Sequence, residues 1–195
     1  MNTHLDTYFS EVTNSAKNLD LKKINSIIEK LIKIKKKQGR VFCVGIGGSA
    51  ANCSHLVNDL RKLCLIDAIS PLDNVSEFSA RINDDGWDSS IVESLKVSKI
   101  DQNDTLFVLS VGGGSMKKKV SMNIVNTLKY CIKNNITIMG IVGKTDGYAF
   151  RSSNLVVNIP INNKKFITPI SESFQTIIWH AIVSDKRIQD NKTKW

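Results

Sequence analysis

His55 and Asp59 have the side chains with the clearest capacity for chemistry, and they lie four positions apart in a segment of helical character. This spacing places both on one helix face, where they can bind one metal ion or exchange a proton. Two further candidates, Glu172 and His180, lie in a later apolar segment together with Gln175. Taken alone, a histidine on an apolar helix predicts a core residue with satisfied hydrogen bonds.

Two glycine-rich segments supply a second kind of chemistry. They read VFCVGIGGSAANCSH at 41–55 and TLFVLSVGGGSM at 105–116, the latter followed by three lysines at 117–119. A strand that ends in a Gly/Ser loop before a helix presents backbone N–H groups and a helix dipole to an anion. Neither loop matches GxGxxG with an acidic residue about 20 positions on, and neither matches GxxxxGK(S/T), which disfavours a nucleotide. We expect both loops to converge on one phosphate-bearing ligand, and the lysines either add charge there or are simply solvated.

A polar cluster, ARINDDGWD at 80–88, allows two interpretations. The presence of Gly86 between two helical stretches favours a turn with local Asx hydrogen bonds. Alternatively, Asn83 or Asp84 contacts a polyhydroxylated ligand.

The elements that must position these residues alternate between apolar runs and helical stretches. Four β-branched runs predict strands at 41–46, 105–111, 136–142 and 155–159. A weaker fifth run, at 63–69, precedes the polar cluster. Helices are predicted within the first 40 residues and at 50–62, 88–96, 116–134 and 172–190. Continuous apolar strands separated by helices predict a parallel sheet covered on both faces, an α/β three-layer sandwich. Ligands of such sheets bind beyond the carboxyl ends of the strands, near a switch in strand order.

Composition limits the classes of function. The chain has 195 residues, which we interpret as one domain, with a helical arm over 1–40 and an α/β core over 41–195. The net charge of +9 comes with few aromatic residues, so we expect an affinity for anionic metabolites and no nucleic-acid partner. No apolar run is long enough for a membrane span, and the N-terminus lacks the layout of a signal peptide. Four cysteines without CxxC spacing fit a cytoplasmic protein.

Six motifs occur in the order found in a known family. They are GIGGSA, HxxxD, NDDG, a strand with a Ser/Gly loop, VGKTDGY, and a glutamate eight residues before a histidine. Together they span about residues 31–184 and resemble the sugar isomerase (SIS) domain, most of all the phosphoheptose isomerases. Those enzymes interconvert sedoheptulose 7-phosphate and D-glycero-D-manno-heptose 7-phosphate for bacterial surface polysaccharides. The resemblance implies a doubly wound, flavodoxin-like sheet and a cytoplasmic homo-oligomer, usually a tetramer, with sites near subunit boundaries.

The resemblance also implies roles for individual residues. Asp59 and His180 would transfer protons, and one Zn²⁺ would be bound by His55, Asp59, Glu172 and His180. The sugar phosphate would contact residues of both loops, of the polar cluster and of the last helix: Gly47, Gly48, Ser49, Asn83, Asp84, Ser110, Val111, Gly112, Ser115 and Glu172.

The chain departs from the family pattern at several of these positions. Ile46 replaces an asparagine of the first loop, and the phosphate loop keeps its first and last hydroxyls, Ser110 and Ser115, but loses two hydroxyls and an amide between them. Asp59 and Glu172 stand where the family has Glu and Gln, which makes the ligand set more acidic. These departures suggest a divergent branch with a different sugar phosphate, or a sugar-phosphate sensor without catalysis.

One geometric limit holds without the family. Eight residues of helix rise about 12 Å, so Glu172 and His180 of one straight helix cannot share one ion. Either the helix begins after Glu172, or the two residues serve different sites of an oligomer.

Overall fold

The computed structural model describes residues 3–153 and 155–194, and at its centre is a parallel sheet of five strands in the order β2-β1-β3-β4-β5. The strands are β1 (Val41–Val44), β2 (Ala68–Ile69), β3 (Thr105–Ser110), β4 (Thr137–Val142) and β5 (Leu155–Asn158). The predicted α/β sandwich with a doubly wound, flavodoxin-like sheet is therefore confirmed.

Eight α-helices are found in the described residues. They are α1 (His4–Lys17), α2 (Leu21–Lys36), α3 (Gly48–Lys62), α4 (Val75–Asp85), α5 (Ser90–Val97), α6 (Met122–Lys133), α7 (Tyr148–Ser152) and α8 (Ile167–Val183). A short 3₁₀ turn, Lys164–Phe166, leads into α8. No helix of the described segments has both the length and the apolar character that a membrane crossing requires.

Successive strand residues point to opposite faces of the sheet and divide the core in two. On one face, Cys43 and Phe107 pack with the apolar sides of α2, α3 and α8. On the other face, Phe42 and Val108 pack with α5 and α6. Along α2 the buried positions are all isoleucine or leucine, so its lysines lie toward solvent as expected.

All four cysteines lie in this core as free thiols. Burial raises the pKa of each thiol above its usual value, in the case of Cys64 to about 11 and of Cys131 to about 12.

The strand order reverses at β1, which pairs with β2 on one side and with β3 on the other. The register aligns Val44 with Val108, so the two glycine-rich loops leave adjacent strands at the same edge of the sheet. This is the switch point at which doubly wound sheets bind ligands.

Three predictions about local structure are wrong. Residues 83 and 84 do not lie in a turn, because α4 continues to Asp85 and the chain reverses only at Gly86, where φ is +86°. Helix α6 begins at Met122 and not at residue 116, because residues 115–120 form a tight reversal closed by a Ser115–Val120 bridge.

The last helix also begins earlier than predicted. Helix α8 starts at Ile167, five residues before Glu172, and continues to Val183. Pro169 lies in its first turn, where the missing N–H group would have had no helical partner. The interpretation in which the helix begins after Glu172 is therefore wrong.

Candidate functional site

Helices α3 and α8 pack together and bring three predicted residues into one cluster, which we call the His/Asp/His cluster. Asp59 Oδ2 lies 3.9 Å from His55 Nε2 and 3.7 Å from His180 Nε2. The Asp59 side chain is 11% exposed, whereas those of His55 and His180 are 54% and 47% exposed. The expectation that His180 is a core residue is therefore wrong: it faces a groove of about 660 Å³ that the cluster lines.

The cluster has the donor set of a divalent metal site. One ligand atom from each of the three residues can be chosen so that all lie within 4.8 Å of one another. Zinc bonds of about 2.0–2.2 Å place tetrahedral ligand atoms about 3.3 Å apart, so a small closing movement would suffice. Three protein ligands would leave the fourth position open, as in catalytic sites.

Neighbouring groups set the orientation and protonation of the cluster. Asn58 Nδ2 donates to Asp59 Oδ1 at 2.9 Å, which leaves Asp59 Oδ2 directed at the histidines. Partial burial lowers the pKa of His180, and a charged His55 lowers it further, against the opposing effect of Asp59. His180 is therefore neutral at pH 7, with a lone pair available for a proton or a metal ion.

The second glycine-rich loop borders a cavity of about 420 Å³, which we call the loop cavity. It is lined by Ile46, Ser110, Val111, Gly112, Gly114, Ser115, Lys118, Val120, Ser121, Lys144, Asp146 and Gly147. All four residues predicted for the phosphate loop are thus among the lining residues. Ile46 also lines it, so the departure in the first loop gives this cavity an apolar wall.

The loop cavity has the groups that an anion requires. Ser110 Oγ accepts the Gly113 N–H at 3.0 Å, so its own proton is free to be donated. The N–H groups of Gly112 and Gly114 have no partner within the described residues, and Gly114 is buried. Lys118 and Lys144 add positive charge, although Lys144 Nζ lies 3.6 Å from Asp146 Oδ1. The loop therefore suits a phosphate.

The first glycine-rich loop lies beside Glu172, another residue predicted to contact the sugar phosphate. Gly47 has a φ of +64° and precedes α3, and Gly48 opens the helix. A Cβ atom built on Gly48 would lie 2.6 Å from Glu172 Cδ, so the carboxylate of this protein's own Glu172 lies against the start of α3. A carboxylate in this position is favourable to the helix dipole and disfavours a phosphate there.

The structure does not bring all predicted residues together. Glu172 is separated from the His/Asp/His cluster along α8, so its predicted participation in one metal site with His180 of the same chain is wrong. Asn83 and Asp84 are exposed on α4, where they hydrogen-bond each other, and line neither the groove nor the loop cavity. Ser49 is buried, and its Oγ has no hydrogen-bond partner within the described residues.

Sequence reasoning missed two features of the site. Trp179 packs on both histidines, with ring centroids 4.7 Å from His55 and 3.6 Å from His180, and its position beside His180 in the chain was the available signal. Asn52 joins α3 to α8: its side chain donates to Glu172 O and Gln175 Oε1 and accepts from Thr176 Oγ1. No sequence pattern indicates this network, because it depends on how two distant helices pack.

The sequence model of the SIS domain family matches residues 7–143 of this chain. The chain belongs to the SIS domain family. Among curated relatives of this SIS domain, the lincomycin biosynthesis protein LmbN of Streptomyces lincolnensis is 29% identical over 150 residues, which cover 74% of this chain and 54% of that protein. A phosphoheptose isomerase of Mycobacterium tuberculosis is 27% identical over 146 residues, covering 72% of this chain and 70% of the relative.

Solved structures share the fold. The phosphoheptose isomerase GmhA from Neisseria gonorrhoeae superimposes with a TM-score of 0.77 at 18% identity, over 92% of this chain and 94% of that chain. A phosphoheptose isomerase from Francisella tularensis gives a TM-score of 0.76 at 20% identity, over 93% of this chain and 96% of the other. These likenesses confirm the fold of this SIS domain.

Proposed function

We propose that this SIS domain is an aldose–ketose isomerase of sugar phosphates, with sedoheptulose 7-phosphate as the substrate and D-glycero-D-manno-heptose 7-phosphate as the product. The observation that carries the proposal is the His/Asp/His cluster, in which a neutral imidazole and a shielded carboxylate lie 3.7 Å apart in an open groove. Relatives and neighbours named phosphoheptose isomerase support the substrate. The product would supply heptose for a surface polysaccharide.

The chain's own residues divide the work. Ser110, Ser115 and the free N–H groups of the loop cavity would bind the phosphate, with charge from Lys118 and Lys144. At the cluster, His180 or Asp59 would remove the proton alpha to the carbonyl, and the resulting enediolate would be protonated at the neighbouring carbon. The Trp179 ring packs against His180, and Asn58 donates a hydrogen bond to Asp59. These two contacts hold the two proton-transfer groups in orientation.

A zinc ion fits the cluster and would be held by His55, Asp59 and His180; proton removal would then require His180 or Asp59 to leave the ion while the other two hold it. When bound, it would polarise the substrate oxygens. Metal analysis of the purified protein is expected to give about one zinc per chain, and His55→Ala is expected to lose it.

The groove and the loop cavity have no lining residue in common. We infer that a complete site joins the loop cavity of one protomer to the His/Asp/His cluster of another, in a homo-oligomer that we expect to be a tetramer. In such an assembly Glu172 and His180 act in different sites, which is the second of the two interpretations of their spacing.

The test is turnover of sedoheptulose 7-phosphate by the wild type, His180→Ala and Asp59→Asn. Each variant is expected to lose about 10²–10⁴-fold in kcat, because each lacks a proton-transfer group. His4→Ala and Asp67→Asn, which alter a histidine and an aspartate outside the cluster, should retain wild-type rates. Full activity in His180→Ala or Asp59→Asn would remove that residue from the mechanism.

The second candidate is a sugar-phosphate sensor, favoured by the loss of polar side chains from the glycine loop. It predicts that sedoheptulose 7-phosphate raises the melting temperature without any turnover or need for metal. Wild-type turnover would exclude it, and product analysis across other heptose and amino-sugar phosphates would identify a different substrate.

A further inference from the structure

A second recess adjoins the loop cavity on the outer side of the glycine loop. It has a volume of about 420 Å³ and shares a wall with the loop cavity at Gly114, Ser115, Lys118 and Asp146. We call it the outer recess. Because the two spaces have common walls, one elongated ligand can extend from the first into the second.

The outer recess is more strongly positive than the loop cavity. Lys117, Lys118 and Arg151 line it, and none of the three has an ion pair within the described part of the chain. The single acidic lining residue, Asp146, already lies 3.6 Å from Lys144 Nζ. One phosphate in the loop cavity would be served by Lys118 and Lys144, which leaves Lys117 and Arg151 without an anion.

An ordered backbone carries these cations. The reversal at 115–120 is closed by hydrogen bonds of Ser115 N to Val120 O at 2.9 Å and of Val120 N to Ser115 O at 3.1 Å. On the other side, Tyr148 N donates to Gly114 O at 2.8 Å and fixes α7, which carries Arg151, to the glycine loop. The charges therefore face each other across a preformed space.

We propose that the outer recess binds a second anionic group, so that a sugar phosphate with another phosphate or a carboxylate at its far end binds across both spaces and, with neither end at the His/Asp/His cluster, inhibits the proposed reaction. This proposal rests on the proposed function, because it takes the loop cavity as the site of the first phosphate. Positive charge on both sides of the recess would give such a ligand a higher affinity than a monophosphate.

Three open-chain ligands without an aldehyde or ketone group test this proposal, since none can be isomerised: a heptitol 7-phosphate, the heptitol 1,7-bisphosphate and the heptonic acid 7-phosphate. By isothermal titration calorimetry at low salt, one or both of the doubly anionic ligands are expected to bind about tenfold more tightly than the monophosphate. This difference in affinity should shrink as added salt screens the charges. The bisphosphate and the heptonate separate a phosphate from a carboxylate as the second group.

The variant Lys117→Ala/Arg151→Ala should reduce this preference to about twofold or less. The matched control, Lys129→Ala/Lys133→Ala, removes two exposed lysines of α6 that line neither space and should keep the preference. Equal affinities in the wild type, or a preference that survives in the double variant, would overturn the second subsite. If the heptitol 7-phosphate binds as tightly as the doubly anionic ligands, only this inference fails. If none of the three ligands binds and sedoheptulose 7-phosphate is not turned over, the proposed function fails as well.

Discussion

At the residue scale, Asp59 lies between two imidazoles while its second oxygen is held by Asn58. The carboxylate is little exposed and lies between two partly exposed histidines. Because the three groups are close together, a charge on one of them changes the affinity of the others for protons. Its i, i+4 relation to His55 could be predicted from the sequence. The approach of His180 could not, because it depends on the packing of α8 against α3.

The pKa of His180 tests this coupling directly. In metal-free protein it should lie below the usual value of 6.5, because burial and the charge of His55 outweigh Asp59. His55→Ala should raise it and Asp59→Asn should lower it further, as measured by NMR titration of the imidazole nitrogens. A His180 pKa that moves in neither variant would contradict the geometry of the cluster.

At the element scale, the glycine loop is held in place by its contact with the segment before α7. A Cβ atom built on Gly147 would lie 2.0 Å from the backbone oxygen of Gly112, whereas one built on Gly112 meets nothing within 4 Å. Close backbone approach of this kind requires a glycine at 147 and leaves 112 free to vary sterically.

Gly147→Ala should therefore displace the loop and weaken binding of sedoheptulose 7-phosphate by about tenfold or more. Gly112→Ala is the matched control for stability and should unfold at the wild-type temperature. Unchanged KM and melting temperature in Gly147→Ala would show that the loop tolerates the shift.

Another link between elements joins the residue before β1 to the residue before β3. Arg40 donates to Asp104 through its backbone N–H at 2.8 Å, through Nε at 3.1 Å and through Nη2 at 2.7 Å. Burial raises the pKa of Asp104, but these hydrogen bonds and the Arg40 charge outweigh it and lower the pKa overall.

Asp104→Asn should lower the free energy of unfolding at pH 7 by about 2–3 kcal/mol, because it removes the carboxylate charge that accepts three hydrogen bonds from Arg40, which keeps only its bonds to two backbone oxygens. A lowered pKa in the folded state contributes stability above the unfolded value of about 3.9, and this stability is lost as the pH falls through the folded value. The difference from the wild type should thus be constant near neutrality and shrink below about pH 4, measured by urea unfolding at several pH values. Asp67→Asn, in an exposed pair with Arg61, should cost under about 1 kcal/mol at any pH.

The elements that sequence patterns predict well are those with one dominant signal. Continuous apolar runs predict four strands within a residue or two, because strands of a covered parallel sheet are buried on both faces. The reversal at 115–120 was not predictable, since Lys119 and Ser121 adopt positive φ without being glycine. The extent of α4 was also obscured, because Asn and Asp ordinarily favour turns over helix interiors.

At the scale of the whole molecule, the loop cavity and the His/Asp/His cluster lie in different parts of one chain. We infer from this separation that each site of the proposed isomerase takes its parts from two protomers, and the sequence alone left open whether one chain was enough. Subunit boundaries depend on surfaces that strand and helix patterns do not describe.

Mixing two inactive variants tests this arrangement. Gly112 lines the loop cavity and a Cβ atom there meets nothing within 4 Å, so Gly112→Leu should fill part of the cavity without strain, and Asp59→Asn should disable the cluster. If a site takes its parts from two protomers, oligomers assembled from both variants contain some sites with two intact parts, and activity should rise well above that of either variant. Separately refolded and unmixed samples are the control, and no rise on co-assembly would place both parts in one chain.

The four core cysteines have a practical consequence. Because each thiol is buried and has a raised pKa, none reacts readily with maleimides or iodoacetamide in the folded protein. A cysteine introduced at an exposed position, such as Lys129 on α6, would then be the one reactive thiol of the native state. Fluorophores or spin labels can be attached there without removing any native cysteine, so that energy transfer or dipolar coupling between labelled chains reports whether they associate in solution.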